Sequence, residues 1–89
     1  MGNGVTPGKP ANGTGEVVII RTESPTADVW CAMWMDEEVH MVDGPFDSPL
    51  ETCLAWALGE ARPSEVRIIT SYPTDANGPG LVEIGRIDR

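Results

Sequence analysis

Hydrophobic and polar positions alternate along this chain in two rhythms, and the change of rhythm marks its centre. Over residues 48–59 the spacing is helical. Leu50, Cys53, Leu54, Ala57 and Leu58 follow the i, i+3, i+4, i+7, i+8 rule and form one apolar stripe. Ser48 stands where an N-cap belongs, with Pro49 at the first helical position, and Glu51 completes a capping box three residues after Ser48. Gly59 supplies the left-handed residue that ends many helices, and Pro63 bars a long continuation. Trp56 lies on the flank of the stripe.

On either side the rhythm shortens to that of strands. Residues 16–23, EVVIIRTE, are rich in β-branched side chains and read as a first strand, which Ser24-Pro25-Thr26-Ala27 ends with turn chemistry. Residues 28–35 make a second strand, with Val29, Cys31, Met33 and Met35 on one face and Trp30, Ala32 and Trp34 on the other. Both faces are apolar, where a half-solvated antiparallel strand would alternate. Asp36-Glu37 turns the chain into a short third strand at about residues 38–42. Asp43-Gly44-Pro45-Phe46 is then the corner that feeds the helix, with Phe46 expected as a plug over the core. Residues 65–71, EVRIITS, and 81–87, LVEIGRI, are two further strands. The loop between them runs from Tyr72 to Gly80, and Gly85 marks a bulge or a close approach.

The order β-β-β-α-β-β predicts an α+β fold: a mixed, mostly antiparallel sheet of four to five strands with one helix on one face. A right-handed crossover makes the fourth strand parallel to the third and lets it lie beside the first, with 3-2-1-4-5 as one candidate order. Residues 1–15, MGNGVTPGKPANGTG, read as a flexible Gly/Pro-rich tail and residues 16–89 as a single domain. One helix covers one face of such a sheet. Either the tryptophan face or the methionine face of the second strand is therefore left without an internal partner.

Charge narrows the functions. Fourteen acids against six bases give a net charge of −8, which argues against direct binding to nucleic acid or to an anionic membrane. Two cysteines are too few for a disulfide framework, so Cys31 and Cys53 are expected as small buried hydrophobes. No run approaches the roughly 20 apolar residues of a membrane span. The N-terminus lacks the layout of a signal peptide, and a cytoplasmic protein is expected.

Catalytic and metal chemistry find little footing. His40 is the single histidine, and no serine or cysteine is committed to it by spacing. There is no CxxC or HxxxH pair, no glycine fingerprint for a dinucleotide, and no EF-hand spacing among Asp36, Glu37, Glu38, Asp43 and Asp47. The expectation is no catalytic residue, no cofactor and no metal. What stands out is an aromatic anchor: Trp30 and Trp34 on one sheet face, with Asp36, Glu37, Glu38 and Asp43 as an acidic rim. Tryptophan dominates interface hot spots, and an acidic rim speeds the encounter with a basic partner. This predicts a non-enzymatic protein-binding module that docks on another protein or on a second copy as a homodimer. The competing reading places one indole in the core and the other under the last strand. An acidic mimic of nucleic acid that inhibits a DNA-binding protein is the alternative function. A small enzyme, the third, would need a pocket joining His40 to a cysteine or carboxylate.

The segment His40–Glu60, HMVDGPFDSPLETCLAWALGE, carries two resemblances. Gly44-Pro45-Phe46 with Ser48 and an Ala-rich helix resembles the strand-to-helix corner of SPOR domains, over less than a quarter of the chain, and implies peptidoglycan binding. The segment and the whole composition are also similar to small uncharacterised cytosolic proteins of actinobacteria and their phages. That resemblance implies a phage or prophage accessory protein that binds and modulates a host protein.

Overall fold

The computed structural model describes residues 8, 10–11, 13–21, 27–38, 40–72 and 80–88. Five strands and one helix follow in the expected order: β1 (Glu16–Arg21), β2 (Cys31–Met35), β3 (Met41–Asp43), α1 (Leu50–Trp56), β4 (Glu65–Tyr72) and β5 (Gly80–Asp88). The fold is α+β, with a mixed sheet in the order β3-β2-β1-β4-β5. Three pairings are antiparallel, and one, β1 with β4, is parallel. The turn expected at residues 24–27 (apart from Ala27), most of the 72–80 loop, and residues 1–7 of the tail lie outside the described residues.

The helix starts and stops differently from its sequence signals. Its N-cap is Pro49, in extended conformation, and Ser48 does not cap it: the Ser48 hydroxyl donates instead to the Phe46 carbonyl. The free amide of Leu50 is satisfied by Asp28, whose Oδ1 accepts it at 3.0 Å. At the other end Gly59 does not stop the chain. The helix widens into a π-helical turn, Ala57–Ala61, closed by Arg62 in the left-handed region at φ 52°. This widening keeps Ala57 and Ala61 against the sheet, while Leu58 turns out to solvent.

The core lies between α1 and one sheet face. Val17, Ile19, Trp30, Ala32, Trp34 and Val66 from the sheet meet Cys53, Ala57 and Ala61 from the helix and its π-turn. Trp56 covers Gly44 so closely that a Cβ there would stand 2.6 Å from its ring. Phe46, expected as the plug, is 70% exposed, and Trp56 fills that corner from the helix side instead.

The chain joins the domain before residue 16. Pro10 is fully buried. The Gly13 amide donates to the Arg62 carbonyl, and the Gly15 carbonyl accepts from both the amide and the hydroxyl of Ser64. Gly15 sits at φ 74°, and a Cβ there would overlap the Met35 carbonyl oxygen. The expected boundary at 15/16 is corrected on this account, because Pro10 is buried and Gly13 and Gly15 are hydrogen-bonded to the segment before β4.

Candidate interaction surface

Strand alternation assigns the residues of β2 to two faces, and the helix decides between them. Trp30 and Trp34 are 3% and 2% exposed, so the aromatic anchor expected from the sequence is corrected: both rings are core. Their polar edges are satisfied inside the fold. Trp30 Nε1 donates to Asp28 Oδ1 at 2.9 Å and Trp34 Nε1 to the Thr14 carbonyl at 3.0 Å. Arg21 lies over the Trp30 ring at 4.6 Å and donates to Thr70 and to the Ala27 carbonyl. Neither indole can meet a partner without unpacking the sheet from the helix.

The open face is the methionine face. Here Met33, Met35, Val18, Ile20 and Ile69 are half-buried, and Met41 is exposed. Among the described residues no element packs over this side. Cys31 belongs to it and is exposed, against the expectation of burial, whereas Cys53 is buried; both thiols are free. Burial pushes the Cys53 thiol above its ordinary value, with Cys31 and Asp28 adding to the rise.

Charges cross the open face in a ladder that only the strand register reveals. Arg67 and Arg86 stand directly opposite each other, a repulsive pair unless neutralised. Arg67 is held by Glu83 at 2.7 Å and by Glu16 at 3.7 Å. Arg86 is held by Glu65 and by Asp88. Glu16 and Glu65 face each other across the parallel seam. Desolvation, then the hydrogen bond with Glu65, raises the Glu16 carboxyl against the pull of Arg67. The Arg86 hydrogen bond lowers Glu65. The two carboxyls thus titrate as an unequal pair.

Of the expected acidic rim, Asp36, Glu37 and Glu38 sit together at the β2–β3 turn, and Asp43 lies along β3 opposite Met33. Asp36 Oδ1 accepts from the amides of Glu38 and His40, at 3.0 and 2.9 Å, and Oδ2 meets His40 Nδ1 at 3.0 Å. Desolvation works to raise the Asp36 carboxyl. The His40 ring bond and the two amide bonds outweigh it and hold the group below its ordinary value.

Donor atoms of Asp36, Glu38 and His40 lie within 4.8 Å of one another, beside an open hollow that Glu16 and Glu65 also line. Asp36 already spends its oxygens on three hydrogen bonds, and Glu38 is largely solvated, so the trio is explained as a self-satisfied turn. His40 reaches a carboxylate, but Cys31 is at the far end of β2 and Cys53 is in the core, so neither cysteine joins it.

No helix among the described residues is long and apolar enough to cross a membrane. No protein-family model, no curated protein and no solved structure matches the chain.

Proposed function

We propose that this chain is a non-enzymatic protein-binding module whose docking surface is the open methionine face, and whose partner carries an apolar centre inside a basic rim. The observation that carries the reading is the combination on one face of Met33, Met35 and Met41 with the acidic turn Asp36–Glu38 and with Asp43. Methionine side chains adapt to irregular apolar partners, and exposed contiguous apolar patches mark interaction sites. The acids and the net charge of −8 favour a basic surface opposite and raise the encounter rate. A phage or prophage origin, which the resemblance to small actinobacterial and phage proteins implies, would make that partner a host protein.

The test places a photo-crosslinking residue at Met41 and, as a control, at Glu60 on the exposed back of the π-turn. A discrete adduct from position 41 and none from position 60 supports the reading. Equal labelling from both positions, or none from position 41, counts against it. A partner that survives Met35→Lys plus Met41→Lys, yet leaves steeply as salt rises, would favour the acidic mimic of nucleic acid and place the contact on the turn acids.

A further inference from the structure

β5 is the last strand in the sheet order, so its inner edge is bonded to β4 and its outer edge carries a free row of amides and carbonyls. Among the described residues nothing pairs with that outer edge. The strand is nine residues long and contains neither lysine nor proline; the guards it does carry are a bulge and the charges Glu83, Arg86 and Asp88, which repel a wrong register and admit a complementary one. Leu81, Val82 and Ile84 are 57%, 43% and 55% exposed, a cost in water that a further strand would relieve.

The geometry points to a second copy of this chain as that strand, paired antiparallel along β5 about a two-fold axis between Ile84 and Gly85. This surface is distinct from the open methionine face and does not depend on its occupant. The argument rests on the β-bulge. The register with β4 shifts between Ile68 and Ile69, leaving Ile84 as the extra residue. A bulge of this kind puts two successive side chains on one side of the sheet. Val82, Ile84, Gly85 and Ile87 consequently belong to the helix side, and Leu81, Glu83, Arg86 and Asp88 to the open side. That pattern is a mirror image of itself about the Ile84–Gly85 midpoint.

A two-fold axis at the midpoint sets Ile84 against Gly85, Val82 against Ile87, Glu83 against Arg86 and Leu81 against Asp88. Every pair then falls on matching sides. Moving the axis onto Ile84 or onto Gly85 sets Glu83 or Arg86 against a residue of the opposite side. The charges agree with the same register. Glu83 already holds Arg67 at 2.7 Å, and Arg86 holds Glu65. Placing Glu83 of one copy beside Arg86 of the other joins the two ladders into one alternating row. Opposite charges directly across a strand pair favour pairing, and like charges oppose it.

Sedimentation equilibrium over a wide concentration range tests this directly. The wild-type chain should pass from 9.6 kDa toward twice that mass as concentration rises. Glu83→Arg alone and Arg86→Glu alone each put like charges opposite at both symmetric positions, and each should weaken self-association by about tenfold or more. Mixed in equal amounts, the two variants carry complementary edges and should form a heterodimer that neither makes by itself. That rescue separates the edge contact from any loss within one chain, since mixing leaves each fold unchanged. Circular dichroism checks that both variants remain folded. A wild-type chain that stays at 9.6 kDa throughout, or variants that show no gain on mixing, would overturn the proposal. So would a dimer indifferent to both charge changes but abolished by Met41→Lys, which would put the second copy on the open face.

Discussion

Asp28 Oδ1 accepts the Leu50 amide at 3.0 Å, across 22 residues of sequence, and the same oxygen accepts Trp30 Nε1 at 2.9 Å. One carboxylate thereby ends the helix, fixes an indole and ties the entry of β2 to the start of α1. A charge-assisted acceptor near a helix N-terminus also gains from the helix dipole.

Asp28→Ala should therefore cost about 1–2 kcal/mol, more than an ordinary exposed substitution. Ser48→Ala, whose hydroxyl reaches only the Phe46 carbonyl, should cost less than about 0.5 kcal/mol. Urea unfolding of the two variants decides which residue caps the helix. A larger loss for Ser48→Ala would contradict the placement of Asp28.

The two faces of the sheet should respond unequally to truncation. Trp34→Ala removes a 2%-exposed ring and leaves the Thr14 carbonyl without its donor, at a cost of about 3–5 kcal/mol. Met41→Ala, on the open face, should cost less than about 1 kcal/mol. Equal losses in a denaturant titration would mean that the open face is covered.

Gly44→Ala should force Trp56 off its seat, because the new methyl group would stand 2.6 Å from the ring. Overpacking of this kind costs about 1–3 kcal/mol and should appear as a red shift of tryptophan emission. Gly59→Ala meets nothing within 4 Å and should leave both stability and emission unchanged or slightly improved.

The carboxyls of the parallel seam give a pH signature. Glu16 is raised, so the stability linked to it is full below its ordinary value and is lost as pH climbs through its folded value. Glu65 and Asp36 are lowered, so the stability linked to them is present above their ordinary values and is lost as pH falls through their folded ones. Carbon-detected NMR titration should show Glu16 protonating before Glu65 on acidification. Glu65→Gln should bring Glu16 down toward its ordinary value, though not all the way, because desolvation is the larger cause. An unmoved Glu16 would show that the pair is not in contact.

The sequence carried the element order β-β-β-α-β-β and offered 3-2-1-4-5 as one candidate arrangement, and the pairing of β1 with β4 in the structure selects it. The β-branched runs at Val17–Ile20 and Ile68–Ile69 marked the two strands of the parallel seam. Other features were hidden for physical reasons. Capping signals are local in sequence, so Ser48 with Glu51 looked sufficient, while Asp28 can be identified only after β2 and α1 have docked. The apolar character of both faces of β2 told that one side is open but not which, and the short helix settled it by covering the tryptophans. The acidic turn at Asp36–Glu38 could be seen in the sequence. The ladder Glu16–Arg67–Glu83 could not, since its members come from three strands and meet only through register.

β1 precedes both of its neighbours in sequence and lies between them, with its parallel partner β4 some fifty positions downstream. During translation one side of β1 must wait, unpaired, until residues 65–72 leave the ribosome. Long-range pairing of this sort slows folding and exposes unfinished sheet edges. A nascent chain stopped at Ala61, about two thirds of the way along, would thus present a bare, β-branched margin at Val17–Ile20.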